Sequence, residues 1–160
     1  MTLNNSLDIL TTRGQLSLEH ENKMLFTIKE KYNVDIIATN KNKPCLCDGF
    51  TTRDNVITGL FESKCRNASL EDFKKWGSWL ITYKKIDGLA WLSNKLCVPA
   101  IGLLYSIPDD TILMWEITNS EGDYLFKFNV EKTVTQETVN GGTIERENAF
   151  LPMKNAKIIS

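Results

Sequence analysis

Apolar positions along the chain change their spacing several times, and each change predicts an element. From Ser17 to Tyr32, "SLEHENKMLFTIKEKY", Leu18, Leu25, Ile28 and Tyr32 recur on one helical face, with Ser17, followed by His20 and Glu21, as the N-cap region. The preceding residues, 1–16, are polar and aperiodic, the pattern of a loose arm. Val34 to Thr39, "VDIIAT", is rich in β-branched residues and predicts a strand ended by the turn "NKNKP". Cys45 to Phe50 and Val56 to Cys65 are two further strand-like runs joined by "TTRDN", the pattern of an antiparallel hairpin. Helical spacing returns from Ser69 to about Leu96, where Phe73, Trp76, Leu80 and Tyr83 form a stripe behind the start signal Ser69, Glu71, Asp72. Gly77 and Asp87-Gly88-Leu89 are the points where this helix can bend or divide.

Beyond it, "VPAIGLLY", Val98 to Tyr105, is a nearly continuous apolar run, the pattern of a strand covered on both faces. "TILMWEIT" and "YLFKFNV" read as a meander, and "KTVTQETV", "NGG" and "TIERENAF" as a hairpin turning at Asn-Gly. The order predicts an α/β fold with a mixed sheet flanked by helices and a C-terminal β-extension.

The chain has 160 residues, the size of one domain, with residues 17–105 as the expected core and 106–160 as the β-rich extension. Hydrophobic residues at 42% and charged residues at 24% exclude a disordered or fibrous chain. No apolar run approaches the roughly 18 residues of a membrane span, and no basic segment followed by an apolar one opens the chain. A cytoplasmic, membrane-free protein is therefore expected. Cys45, Cys47, Cys65 and Cys97 match neither zinc knuckles nor a disulfide framework and are expected to be reduced and mostly buried. A net charge of −1 means that a nucleic-acid partner has to be met by locally gathered basic residues.

Chemistry concentrates in "CDGFTTRDNVITGLFESKCRN", Cys47 to Asn67. Alternation along a strand puts Glu62 and Lys64 on one face of an otherwise apolar run. A turn at Asp54 and Asn55 pairs position 48 with about position 61, carrying the Asp48 carboxylate close to Glu62. Asp54 itself is about 26 Å from Glu62 along an extended strand, too far to share a ligand. Two carboxylates beside a lysine suit a hard divalent cation, which is held by carboxylates together with substrate phosphate and water. The metal stabilises charge on a phosphoryl oxygen and activates water, and the lysine positions that water or offsets phosphate charge. Phosphodiester hydrolysis is the matching reaction.

Asp48 followed fourteen residues later by Glu62-Ser63-Lys64, on a hairpin after a helix and a strand and before a helix and a strand, resembles the PD-(D/E)XK nuclease superfamily. The resemblance spans about residues 17–105 and implies a restriction-endonuclease-like αβββαβ core. Cys47 stands where the family frequently has Pro. Many members add a glutamate from the first helix to the metal site. That role passes to Glu21, which shares the sheet-facing stripe of the predicted helix, with Glu19, rotated away, as the fallback. The family also often holds phosphate from the helix after the E-x-K strand. Among Lys74, Lys75, Lys84 and Lys85, Lys85 is the first choice for that role and Lys75 the second.

The resemblance implies a nuclease using Mg²⁺ or Mn²⁺ held by Glu21, Asp48 and Glu62, with Lys64 beside the attacking water. It favours DNA as partner, read by backbone, ends or structure more than by a long base sequence. Restriction, resolvase and phage-type members are often homodimers, which is the expectation for assembly. Two alternatives stand beside this reading: an RNA endonuclease with the same metal site, and a non-catalytic nuclease-like binding subunit presenting surface around Trp115, Tyr124 and Phe150. Other signals carry less. Lys85-Ile86-Asp87-Gly88 matches a nucleotidyltransferase motif in a chain too short for that fold. His20 is the single histidine, which gives little support to paired-histidine chemistry. "VNGGTIER" lacks the strand-to-helix setting of a phosphate loop.

Overall fold

The structure, a computed structural model, describes residues 12–136 and 142–159. In chain order the elements are α1 (Thr12–Tyr32), β1 (Asp35–Ala38), β2 (Gly49–Arg53), β3 (Val56–Arg66), α2 (Leu70–Trp76), β4 (Ser78–Thr82), α3 (Tyr83–Leu96), β5 (Ala100–Ser106), β6 (Thr111–Glu116), β7 (Asn129–Gln136), β8 (Thr143–Pro152), a 3₁₀ turn (Met153–Asn155) and β9 (Lys157–Ile159). They form an α/β architecture around a six-stranded mixed sheet, ordered β1-β2-β3-β5-β6-β9, with a second sheet ordered β4-β8-β7.

Within the main sheet β1, β2 and β3 run antiparallel in succession and β5 lies parallel to β3. On one face Met24, Leu25 and Ile28 of α1 pack on Phe61, Leu103, Tyr105, Ile112 and Met114. On the other, Ile86 and Leu89 of α3 and Phe73 of α2 pack with Leu60, Leu104, Leu113 and Trp115. Covering on both sides explains the unbroken apolar run of β5. Each such side chain contributes roughly 1.5–3 kcal/mol by burial, a reserve that lets the sheet hold a buried charge.

The first helix begins earlier than the sequence predicts, so Ser17 lies inside α1 instead of capping it. Its other end closes at Asn33, in the left-handed region (φ 50°), where the Arg53 guanidinium donates to the Tyr32 carbonyl at 2.9 Å. The strand expected from Cys45 to Phe50 starts only at Gly49; residues 45–48 belong to the approach.

The continuous helix expected over Ser69 to Leu96 does not form. Ser69 and Asp72 close a capping box at the start of α2, as the sequence suggests, but Gly77 ends the helix at φ 79°, with its N–H donating to Phe73 O at 2.9 Å. The next five residues, "SWLIT", form β4 with Trp79 and Ile81 buried. The stripe of Phe73, Trp76, Leu80 and Tyr83 is therefore split among three elements, because strand alternation and β8 pairing outweigh an accidental helical spacing. Gly88, the other marked break point, lies inside α3.

Chain beyond Tyr105 contributes to both sheets. β6 and β9 extend the main sheet, whereas β8 pairs with β4 on one side and β7 on the other. "YLFKFNV" is mostly irregular, with only the bridge Thr118↔Tyr124 before β7 begins at Asn129. Asn140 and Gly141 of the predicted hairpin turn lie outside the described residues. Trp115, expected at the surface, is fully buried against Trp79, and its indole N–H donates to Pro152 O at 2.9 Å. Tyr124 is partly exposed and Phe150 half-buried.

Candidate active site

The β2–β3 hairpin sets the geometry of the predicted cluster. Asp54 and Asn55 both have positive φ, 51° and 64°, as a tight two-residue turn matching strand twist requires. A regular ladder from this turn would pair position 48 with 61. The register instead shifts between Thr51 and Thr52: Thr51 pairs with Gly59 and Thr52 with Ile57, leaving Thr58 as the extra residue of a bulge. Gly49 consequently pairs with Phe61, and the next position, Asp48, falls opposite Glu62.

Asp48 is fixed from three sides. Its N–H donates to Phe61 O at 2.9 Å, and its carbonyl accepts from the Thr39 N–H and hydroxyl, both at 2.9 Å. Its Oδ2 accepts from the Ser63 N–H at 2.8 Å and the Ser63 hydroxyl at 3.3 Å. Ser63, the central residue of the E-x-K triplet, thus orients the aspartate.

Glu62 shares its face with Leu60, toward α3, and is fully buried. Lys85 Nζ, reaching from the first turn of α3, lies 3.3 Å from Glu62 Oε1, and Lys64 Nζ lies 3.8 Å from it. Among the described residues no donor meets either carboxylate oxygen in full hydrogen-bond geometry, Lys85 coming nearest. Lys85, within donating distance, and Lys64, farther off, offset the Glu62 charge from the edge of its pocket. Burial pushes its pKa above the usual carboxylate range, and Asp48 adds to the rise, while Lys64 and Lys85 pull it back only in part.

Glu21 projects from α1 on the other side of the same strand ends. It meets Lys41, from the β1–β2 connection, at 2.9 Å, and Lys41 also lies 3.9 Å from Asp48 Oδ1. Burial lowers the Lys41 pKa, but the hydrogen bond to Glu21 and the charges of Asp48, Glu21 and Glu62 more than offset this, leaving it raised. Lys41 was not singled out in the sequence, where "NKNKP" reads only as a turn. The available signal is that Thr39 and Asp48 flank this loop, so that its charged residues arrive at the end of the sheet that carries Asp48.

The structure thus brings Glu21, Asp48, Glu62, Lys64 and Lys85 to one end of β2 and β3. Glu19 is exposed on α1, and Lys75 is exposed on α2 near Asp72. Cys47 and Cys65 have their thiols pushed up to about 11, by burial first, then by Asp48 and Glu62 for Cys47 and by Glu21 for Cys65. Cys45 and Cys97 are exposed, contrary to the expectation of mostly buried thiols, and all four cysteines are free.

Among the described residues no group of three or more His, Cys, Asp or Glu side chains is arranged to hold a metal ion. Asp48 and Glu62 still fit a hard divalent cation, which needs only one or two carboxylates with phosphate and water. Glu62 in particular offers two buried oxygens that no donor among the described residues meets in full hydrogen-bond geometry. Among the described residues no helix is long and apolar enough to cross a membrane. No family model, curated protein or solved structure matches the chain.

Proposed function

We propose that the protein is a metal-dependent nuclease that hydrolyses phosphodiester bonds in DNA, directed by strand ends or structure instead of a long base sequence. The observation that carries this reading is the bulge-set register, which places Asp48 opposite a fully buried Glu62 with two lysine amines at its edge. Support for the PD-(D/E)XK superfamily comes from the element order, in which α1, three antiparallel strands and a helical crossover lead to β5, parallel to β3.

In this reading Asp48 and Glu62 hold Mg²⁺ or Mn²⁺, joined by Glu21 once it parts from Lys41. The ion, when bound, supplies charge stabilisation at a phosphoryl oxygen and a water of lowered pKa. Ser63 keeps the Asp48 carboxylate turned into the site. Lys64 orients the attacking water through a donated hydrogen bond and offsets negative charge on the phosphate. Lys85, about 40% exposed and anchored by Glu62, presents its ammonium to the neighbouring phosphate.

The test is cleavage of labelled single-stranded, duplex, flap, four-way-junction and RNA substrates in EDTA, Mg²⁺ or Mn²⁺, beside Asp48→Asn. Metal-dependent cutting of DNA that is lost in the variant is expected. Cutting of RNA alone would move the substrate, and a folded protein that neither cuts nor binds Mn²⁺ would sink the nuclease.

Lys41 favours a second reading. Its ammonium already neutralises Glu21 and approaches Asp48, as in a nuclease-like fold that binds nucleic acid or protein without cutting.

A further inference from the structure

A cleft of about 760 Å³ opens beside the candidate site and shares Lys85 with it. Its walls are mainly apolar, from Pro44, Leu46 and Tyr83, while Lys84, Lys85 and Arg146 supply positive charge. Three separate parts of the chain build it: the β1–β2 connection, the start of α3, and β8 of the second sheet. Leu46 is half exposed despite its apolar character. It rests against α3 where Gly88 leaves room, since a Cβ there would stand 3.2 Å from Leu46 Cδ2.

We propose that this cleft receives the base of an unpaired nucleotide next to the phosphate handled at Glu62. The proposal rests on the nuclease reading for its choice of a nucleic-acid ligand. Its size falls within the range of about 300–1,000 Å³ that accommodates nucleotide-sized ligands. An apolar floor bordered by cations matches a strand in which flat bases alternate with anionic phosphates. Lys85 provides continuity: a base in the cleft leaves its own phosphate beside an ammonium that already touches the Glu62 carboxylate. Asp87 and Glu147, also in its lining, can accept from exocyclic amino groups of the base. A base paired within a closed duplex cannot enter, so the cleft selects frayed ends, overhangs and single strands.

Binding in EDTA separates this proposal from cleavage. The full chain is titrated with a duplex whose overhang carries 2-aminopurine at one unpaired position, with the same duplex abasic at that position, and with a blunt closed duplex. The expected result is a change in 2-aminopurine fluorescence and an affinity about tenfold above that of the abasic strand, as loss of one stacked base implies. Leu46→Asp and Arg146→Ala, both at exposed positions, should each remove that advantage, with circular dichroism confirming the fold. Equal affinity for the base-bearing and abasic strands overturns the cleft and leaves the nuclease standing. A base advantage that survives both substitutions also overturns it. Base-dependent binding lost in both variants, with no cutting in Mg²⁺ or Mn²⁺, supports the cleft and overturns the nuclease.

Discussion

Asp110 and Glu62 each lie against a lysine, at 3.0 Å from Lys23 and 3.3 Å from Lys85, yet their surroundings push them in opposite directions. Asp110 is at the surface. It accepts from the Tyr105 hydroxyl and from Lys23, and these two hydrogen bonds hold its pKa below the usual carboxylate range. Glu62 is sealed from solvent, has its lysine amines 3.3 and 3.8 Å from one oxygen, and has its pKa raised by burial and by Asp48. Proximity of opposite charges is therefore a poor guide to role. The satisfied pair fastens α1 to the turn after β5. The unsatisfied one keeps a charge where folding alone would not place it, which is the condition commonly found at functional sites.

The sharpest test of this contrast is catalytic. Lys64→Ala should lower cleavage by about a hundred- to a thousandfold, the usual worth of a group acting on developing charge, while Mn²⁺ binding persists. Asp110→Asn should cut at the wild-type rate. If kcat/KM fell equally in the two variants, the distinction between latch and site would collapse.

Lys41→Met probes the charges that surround Glu62. Removing that ammonium leaves Glu21, Asp48 and Glu62 with less compensation, and should cost about 1 kcal/mol of stability by urea unfolding. Added Mn²⁺ should restore it. A variant as stable as wild type without metal would show that Lys41 does not hold the acidic groups together.

An effect of similar size and opposite sign is expected for Glu62→Gln. A carboxyl whose folded pKa is raised binds its proton more tightly in the native state, so its contribution worsens as pH rises above the ordinary 4.5. The variant should melt roughly 3 °C above wild type near pH 8, the two curves converging toward acid pH, although cleavage is lost. A lower melting temperature at pH 8 would mean that Lys64 and Lys85 fully compensate the buried charge.

Asp110→Asn should give the smallest stability change. Its depressed pKa implies stability present above the ordinary 3.8 and lost as pH falls through the lower folded value. The variant should melt slightly below wild type near neutrality, with the gap closing in strong acid. A gap that persists unchanged at low pH would place its origin outside the ionised carboxylate.

How much of this could be seen in the sequence depends on the range of the interaction. Asp54-Asn55 announces its turn locally, and Ser69 with Asp72 announces the start of α2. Asp48, Glu62 and Lys64 could be brought together from the same hairpin, although the bulge at Thr58, which puts Asp48 opposite Glu62, left no signature beyond Gly59. Glu21 and Lys85 followed from the family resemblance. β4 was hidden because its stabilising partner, β8, is remote in sequence, and Trp79 and Ile81 can also be fitted to a helical wheel. Trp115 looked available for a partner because nothing nearby in sequence reveals that Trp79 and Pro152 enclose it.

That remote pairing also bears on how the chain emerges during synthesis. Residues 78–82 pair with residues 148–152 across the small sheet. When α1 and the β2–β3 hairpin have left the ribosome, β4 still has no strand to accept its hydrogen bonds, and Trp79 and Ile81 have no cover from Ala149 and Leu151. The wall of the cleft that holds Arg146 is missing at the same moment. Completion of the small sheet and of the cleft thus waits for synthesis of residues 143–152, leaving an apolar strand without its partner until they emerge.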